Sequence, residues 1–139
     1  MTNTSSGKKK RVVIIVDDDN DLVQLLTFAF DSEGFSTHGI NSGLEAIKFF
    51  KNEKNGDDIC LLILDRILPD MDGLNILKKL PENFINKTPV LILSVLSSEN
   101  EVRGGLMEGA VDYIAKPFNL PILMVKALAL IDRYSNIPK

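Results

Sequence analysis

The stretch Ile59-Cys60-Leu61-Leu62-Ile63-Leu64-Asp65 decides the fold of this chain. A short apolar run without alternation, followed by a charged residue, is typical of a strand buried on both faces of a parallel sheet. Three other apolar runs end at a polar or charged residue: Val12–Val16 before Asp17, residues 90–93 before Ser94, and residues 113–115 before Lys116. Ligands of open α/β sheets bind outside the carboxyl ends of the strands, so we expect the chemistry of this chain at that edge.

Helix patterns alternate with these runs along the chain. One more strand is predicted at residues 35–40, and apolar residues recur at helical spacing in five segments: residues 21–32, 42–52, 73–80, 98–108 and 119–134. Gly34 is expected to end the first helix and Ser42 to cap the second, and residues 55–57 predict a turn. Five successive strand–helix units predict an α/β fold, a doubly wound parallel sheet with helices on both faces.

Composition limits the class of protein. The 139 residues predict one domain at residues 11–134, between a flexible polar tail at residues 1–10 and a short tail at residues 135–139. A net charge of −3 argues against direct nucleic-acid binding by the domain. No apolar stretch approaches the ~20 residues of a membrane span, and no secretory signal is present. The single cysteine, Cys60, can form no internal disulfide, so a reducing, cytoplasmic location is expected.

Carboxylates are concentrated at two strand ends. Asp17, Asp18 and Asp19 follow the first strand, and Asp65 follows the third. Crowded carboxylates repel one another unless a cation offsets the charge, and Mg²⁺ prefers oxygen ligands. We expect one aspartate of the triplet to cap the following helix and the others to form a metal site with Asp65.

Asp65 has a second interpretation, as a nucleophile. An aspartate beside a metal can form an aspartyl phosphate, whose oxygens then need cations and hydrogen-bond donors. Lys116 and Ser94, each at its own strand end, would supply an ammonium and a hydroxyl. Taken alone, such a lysine is usually a surface residue and such a serine a turn hydroxyl. The convergence of four strand ends favours phosphoryl chemistry.

These motifs together resemble the receiver domain of the bacterial two-component response regulators. The matching stretches are residues 12–19, residues 62–74 with Leu68-Pro69-Asp70-Met71-Asp72-Gly73-Leu74, residues 89–94, and residues 109–118 ending in Lys116-Pro117-Phe118. The resemblance covers nearly all of residues 10–134. It implies a flavodoxin- and receiver-like (βα)5 fold with strand order 2-1-3-4-5. It also implies a signalling domain whose only catalysis is Mg²⁺-dependent self-phosphorylation from a phosphodonor and slow autodephosphorylation.

The resemblance also assigns roles at the acidic strand ends. Asp65 would be the phosphoacceptor and Lys116 the lysine that pairs with the phosphate. Asp17 and Asp18 would hold Mg²⁺, or Mn²⁺, together with Asp65 and the backbone carbonyl of Ile67. The bond between Lys116 and the following proline would be cis, and no organic cofactor is implied.

A switch between Ser94 and Tyr113 is implied as well. Ser94 would move to donate to the phosphoryl group, which opens space into which the ring of Tyr113 can turn. The face formed by the fourth helix, the fifth strand and the fifth helix would then be repacked for a partner. Gly104 and Gly105 predict either a weak fourth helix or relief of crowding. The strongly apolar fifth helix favours a homodimer or another partner at this face.

Three apolar residues are expected to modulate access and lifetime. Val95 stands where the family commonly has a small residue, so small phosphodonors should react slowly. Ile67 and Leu96 cannot orient an attacking water by a hydrogen bond, which predicts a long-lived phosphate.

The implied upstream partner is a sensor histidine kinase or a histidine phosphotransfer protein, and the downstream partner a protein target or an effector domain. A receiver-like binding scaffold that is never phosphorylated stays open as the alternative. A flavodoxin-like cofactor binder is disfavoured because three aspartates would repel its phosphate. A haloacid-dehalogenase-type phosphatase would need a general acid at position 67, where isoleucine stands. A stand-alone receiver and a part of a longer regulator are both compatible with the chain.

Overall fold

The computed structural model describes residues 11–52 and 58–135. They contain a five-stranded parallel sheet in the order β2-β1-β3-β4-β5, which confirms the predicted fold class and strand order. The strands are β1 (Val12–Val16), β2 (Ser36–Ile40), β3 (Ile59–Leu64), β4 (Val90–Ser94) and β5 (Asp112–Ala115). The predicted tail at residues 1–10, the predicted turn at residues 55–57 and residues 136–139 lie outside the described residues.

The helices cover both faces of the sheet. They are α1 (Asn20–Ser32), α2 (Gly43–Lys51), α3 (Leu74–Lys79), α4 (Glu82–Lys87), α5 (Glu99–Met107) and α6 (Leu120–Tyr134). The short helix α4 was not predicted. Pro81 does end the preceding helix, because it holds Leu80 in an extended conformation (φ −73°, ψ 141°). The same proline is then the N-cap of α4, and Phe84 of this helix packs on the ring of Phe50 at 5.1 Å.

The two faces of the sheet have separate apolar cores. Alternate strand residues point to opposite faces, so Val13 and Ile15 pack under α1 and α6, whereas Ile14 and Val16 pack under α2 and α3. All four of these strand residues are fully buried, as expected for a central strand of a parallel sheet. Strand β5 divides between the two cores: Tyr113 packs with the second and Ile114 with the first.

Local capping fixes where the helices begin. The Asp19 carboxylate accepts hydrogen bonds from the backbone N–H groups at the start of α1, and Ser42 caps α2. Ser98 and Glu101 form a reciprocal capping box at the start of α5. Gly34, with φ +91°, follows the end of α1 in a conformation that favours glycine. The capping predictions for Asp19's triplet, Ser42 and Gly34 are confirmed.

The carboxyl ends of the strands lie side by side. The backbone N–H of Asp65 donates to the carbonyl of Val16, at 2.9 Å, and that of Asp17 donates to the carbonyl of Ile40, at 3.0 Å. On the other side the N–H of Lys116 donates to the carbonyl of Ser94, at 2.9 Å. The sheet hydrogen bonds therefore hold the polar residues of several strands at one edge.

Candidate functional site

Three carboxylates meet at this edge. Oxygen atoms of Asp17, Asp18 and Asp65 all lie within 4.8 Å of one another. Asp17 and Asp65 are buried, with 3% and 6% of their surface exposed, and Asp18 is exposed. Asp19 caps α1 instead of joining the cluster. The triplet therefore divides as the sequence predicts, into one cap and a pair that groups with Asp65.

One ammonium group bridges the two buried carboxylates. The Nζ atom of Lys116 lies 2.8 Å from Asp17 Oδ2 and 2.9 Å from Asp65 Oδ2. Burial acts against its charge, but these two hydrogen-bonded carboxylates raise the pKa of Lys116 above its ordinary value. Lys116 is therefore a cation at neutral pH. The Lys116–Pro117 peptide bond is cis, as the resemblance implies.

The charge of the cluster favours a further cation. Within residues 11–52 and 58–135, three carboxylates face a single ammonium, and burial raises the pKa of Asp17 although Lys116 lowers it. A hard divalent cation at the three carboxylates would offset the remaining negative charge with the oxygen ligands that such ions prefer. The donor set fits Mg²⁺, with Asp17, Asp18 and Asp65 as the side chains that would hold it.

The loop after Asp65 is tightly closed. The Ile67 N–H donates to Asp65 Oδ1 at 3.0 Å, and the Gly73 N–H donates to the Arg66 carbonyl at 2.7 Å. A Cβ atom at Gly73 would lie 2.2 Å from the Asp65 carbonyl oxygen, so no other residue fits here without moving the backbone. The Asp65 carboxylate therefore accepts hydrogen bonds both from the Ile67 N–H in its own loop and from Lys116.

Ser94 and Tyr113 are joined through the peptide groups of one residue. Ser94 is fully buried, and its Oγ accepts a hydrogen bond from the Leu96 N–H at 3.3 Å. The hydroxyl of Tyr113 donates to the Leu96 carbonyl. Burial raises the pKa of Tyr113. Ser94 and Tyr113 are therefore linked by hydrogen bonds to Leu96, a contact that the sequence does not predict.

A family model for the response regulator receiver domain matches residues 13–128. The chain belongs to this family. The resemblance drawn from the strand-end motifs is thereby confirmed, and the protein is a receiver domain of the two-component response regulators.

Individual relatives agree with this assignment. The transcriptional regulatory protein TrcR of Mycobacterium tuberculosis is 38% identical over 118 residues, which are 85% of this chain and 44% of TrcR. The structure of the receiver domain of Francisella response regulator 1452 matches with a TM-score of 0.77 at 31% identity, over 89% of this chain and 98% of that one. A chain of the CheX–CheY–BeF3–Mg²⁺ complex from Borrelia burgdorferi matches with a TM-score of 0.76 at 31% identity, over 86% and 88% of the two chains.

The match to full-length regulators is partial. This chain spans 44% of TrcR and 48% of the regulator PhoB of Rhizobium meliloti, so less than half of either. Among the described residues, no helix is long and apolar enough to cross a membrane.

Three apolar residues follow the carboxyl ends of β3 and β4. Val95 and Ile67 have 56% and 45% of their surface exposed, and Leu96 is half-buried. Slow entry of phosphodonors and slow hydrolysis of the phosphate stay predictions for these residues.

Asp70 is a structural residue that the sequence reasoning missed. Its two carboxylate oxygens accept hydrogen bonds from the backbone N–H groups of Gly43 and Leu44, at 2.8 and 2.9 Å. These bonds lower its pKa. Asp70 therefore caps the first turn of α2 from a distant loop and joins that loop to α2.

Arg66 is the second residue that was missed. Its Nη1 atom donates to the Glu101 carbonyl in α5 at 2.9 Å, and its Nε and Nη2 atoms donate to Asp72 at 3.4 and 3.1 Å. The side chain is only 11% exposed. A charged residue after a strand gives no local signal of such contacts, because its partner Glu101 lies thirty-five residues away in sequence.

Proposed function

We propose that this receiver domain accepts a phosphoryl group on Asp65 from a sensor histidine kinase or a histidine phosphotransfer protein. The observation that carries the proposal is the bridge of Lys116 between the buried carboxylates of Asp17 and Asp65, at 2.8 and 2.9 Å, beside the exposed Asp18. A carboxylate held among groups that neutralise anionic oxygens is arranged to be a nucleophile towards phosphorus.

The transfer would proceed by attack of an Asp65 carboxylate oxygen on the phosphorus of a phosphohistidine. The new O–P bond forms as the N–P bond breaks, and the imidazole leaves with the electron pair. Lys116 would then pair with a phosphoryl oxygen, and Ser94 would donate to another. Mg²⁺ held by Asp17, Asp18, Asp65 and the Ile67 carbonyl would neutralise charge on the phosphoryl oxygens, and Mn²⁺ is the alternative ion.

Phosphorylation would change the face made by α5, β5 and α6, which is called the output face below. Phosphorylation would draw the Ser94 hydroxyl to the phosphoryl group, and Leu96 would carry that movement to Tyr113. A downstream effector domain or another protein would bind the altered face. The naming of relatives such as TrcR as transcriptional regulatory proteins supports an effector domain as one such target.

A second copy of the chain is the other occupant proposed for the output face. Met107, Ile122 and Val125 expose 80%, 56% and 69% of their surface there. Analytical ultracentrifugation with and without beryllofluoride would test this, and Val125→Lys should keep the activated protein monomeric.

Small phosphodonors would react slowly and the phosphate would persist, because Val95 narrows the entrance while Ile67 and Leu96 cannot orient water. Loss of the phosphoryl group in Mg²⁺, followed by intact mass, measures the lifetime. A lifetime of only seconds would contradict this part of the proposal.

The central experiment is intact mass after incubation with Mg²⁺ and a small acyl phosphate. Wild type should gain one phosphoryl group, Asp65→Asn none, and the matched control Asp31→Asn as much as wild type, because Asp31 is exposed at the far end of α1. If wild type gains nothing, Val95→Ala and then a histidine kinase are tried. Failure of those as well would leave the unphosphorylated binding scaffold as the function.

A further inference from the structure

The guanidinium of Arg66 joins its own loop to α5. Its Nε and Nη2 atoms donate to the Asp72 carboxylate in that loop, and its Nη1 atom donates to the Glu101 carbonyl in the first turn of α5. With 11% of the Arg66 side chain exposed, these contacts replace most of the water around its charge. The ring of Tyr113 on β5 packs against the same helix, since a Cβ atom at Gly105 would lie only 2.9 Å from Tyr113 Cε2.

Tyr113 is therefore held from two sides. On one side its hydroxyl donates to the Leu96 carbonyl, and the Leu96 N–H donates to Ser94 Oγ. On the other side its ring packs against Gly105 of α5, the helix whose first turn accepts a hydrogen bond from Arg66. The first path leads to the proposed phosphoryl group through Ser94, whereas the second leads through α5 to Arg66, the residue that follows Asp65.

The backbone of Arg66 cannot move independently of Asp65. Its carbonyl accepts from the Gly73 N–H at 2.7 Å, and the missing Cβ of Gly73 leaves the two chain segments in contact. Ile67, next in the loop, is bonded to the Asp65 carboxylate through its N–H. If modification of the Asp65 carboxylate moves this loop, the Arg66 guanidinium should therefore move with it, because only a short segment separates the two groups.

We infer that Arg66 is a positioning residue that holds the first turn of α5 and, through that helix, the ring of Tyr113, and that it forms a second connection from Asp65 to the output face that does not pass through Ser94. The signalling part of this inference rests on the proposed phosphorylation of Asp65. The positioning part concerns the unmodified protein and stands without it.

The chemistry of arginine is essential to this role. A planar guanidinium can donate to Asp72 with two nitrogen atoms and to the Glu101 carbonyl with the third, whereas a lysine ammonium is a single point charge on a flexible stem. Arg66→Lys therefore keeps the charge near Asp65 but loses the geometry. Arg66→Met loses the charge as well as the geometry. A comparison of the two variants therefore distinguishes positioning by the guanidinium from the effect of its charge.

The test reads the environment of Tyr113 directly. The chain has two tyrosines, so Tyr134→Phe leaves Tyr113 as the only one, and 3-fluorotyrosine at that position gives a ¹⁹F NMR resonance. Wild type, Arg66→Lys, Arg66→Met and Arg103→Met are compared in this background. Arg103→Met is the matched control, because it removes an arginine of α5 that is 64% exposed and pairs only loosely with Glu99, at 3.7 Å. Amide hydrogen exchange of α5 is measured on the same samples.

Both Arg66 variants should displace or split the Tyr113 resonance and speed exchange in the first turn of α5 by ~tenfold, the effect of losing one hydrogen bond to a charged group. The control should match wild type. With Mg²⁺ and beryllofluoride, the shift of the Tyr113 resonance should be smaller in both Arg66 variants than in wild type. Melting temperatures establish that each variant is folded, and Arg66→Lys alone decides the matter if Arg66→Met does not fold.

Two results would overturn the inference. One is a Tyr113 resonance and α5 exchange that stay at wild-type values in the Arg66 variants. The other is full rescue by Arg66→Lys, which would reduce the role of Arg66 to its charge. Failure of wild type to respond to beryllofluoride and to gain a phosphoryl group would count against the proposed function instead, and the comparison in the unmodified protein would still decide whether Arg66 positions Tyr113.

Discussion

The carboxyl edge of the sheet and the output face are held in opposite ways. At the edge, Asp17, Asp65 and Lys116 are mostly buried and joined by contacts of 2.8 and 2.9 Å. At the output face, Lys126 and Asp112 are partly exposed and 3.9 Å apart. Phosphoryl chemistry requires charged groups that are already held in position. A binding partner requires an exposed apolar surface. If Asp65 accepts a phosphoryl group as proposed, the edge would carry the reaction and the face would carry the specificity for partners.

The largest expected effect is on the phosphorylation rate of Lys116→Met, compared with a matched substitution on the output face. Removing the only ammonium that contacts Asp65 among the described residues should slow phosphorylation by a small phosphodonor ~10²–10³-fold, as for loss of one charge-stabilising donor in other active sites. The measurement is the initial rate of phosphoryl gain by intact mass. Lys126→Met, on the output face, is the control and should keep the wild-type rate. Equal slowing in both variants would remove the distinction between edge and face.

Mg²⁺ bound at the edge should raise the free energy of unfolding, because it binds only the folded state. At a concentration of 100 times its dissociation constant, an ion bound only by the folded state adds ~2.7 kcal/mol to the free energy of unfolding. Thermal unfolding should therefore shift upward with Mg²⁺ in wild type and much less in Asp18→Asn. Asp132→Asn, near the end of α6, should respond like wild type. An undiminished response in Asp18→Asn would exclude Asp18 as a ligand.

Two neighbouring glycines of α5 should have opposite effects on stability. A Cβ at Gly105 would lie 2.6 Å from Ile92 Cδ1 and 2.9 Å from Tyr113 Cε2, so Gly105→Ala should lower the free energy of unfolding by ~1–3 kcal/mol through overpacking. A Cβ at Gly104 meets nothing closer than 4.0 Å, so Gly104→Ala should raise it by ~0.5–1 kcal/mol. Urea unfolding measures both. A gain in stability for both variants would show that helix propensity outweighs packing here.

Val95→Ala should have the smallest effect. Val95 is 56% exposed and follows Ser94, so shortening its side chain should speed phosphorylation by a small donor less than ~tenfold, below ~1.4 kcal/mol of barrier. Val125→Ala provides the control on the output face. If the two variants react equally fast, Val95 does not control access.

The sequence predicts the parts of this receiver domain that depend on local pattern. Strand ends follow from apolar runs, and the caps at Asp19 and Ser42 follow from residue type next to a periodic segment. Helix α4 was missed because Pro81 can equally end one helix and begin another.

The missed site residues depend on tertiary contacts. Asp70 caps a helix that begins twenty-seven residues earlier, and Arg66 bonds to a carbonyl thirty-five residues later. Neither partner is next in the chain or at a periodic spacing, so no local pattern contains these contacts. The roles carried over for Asp65, Ser94, Lys116 and the metal ligands stay predictions until phosphorylation is measured.

The division of β5 between the two cores has a consequence for how this protein can change. Tyr113 packs on the core beneath α2 and α3, whereas its neighbour Ile114 packs on the core beneath α1 and α6. Substitutions in the first core would then change the position of the proposed switch residue Tyr113, whereas substitutions in the second would reach β5 through Ile114. A strand of four residues thus gives each core its own point of contact with the segment that leads to Lys116.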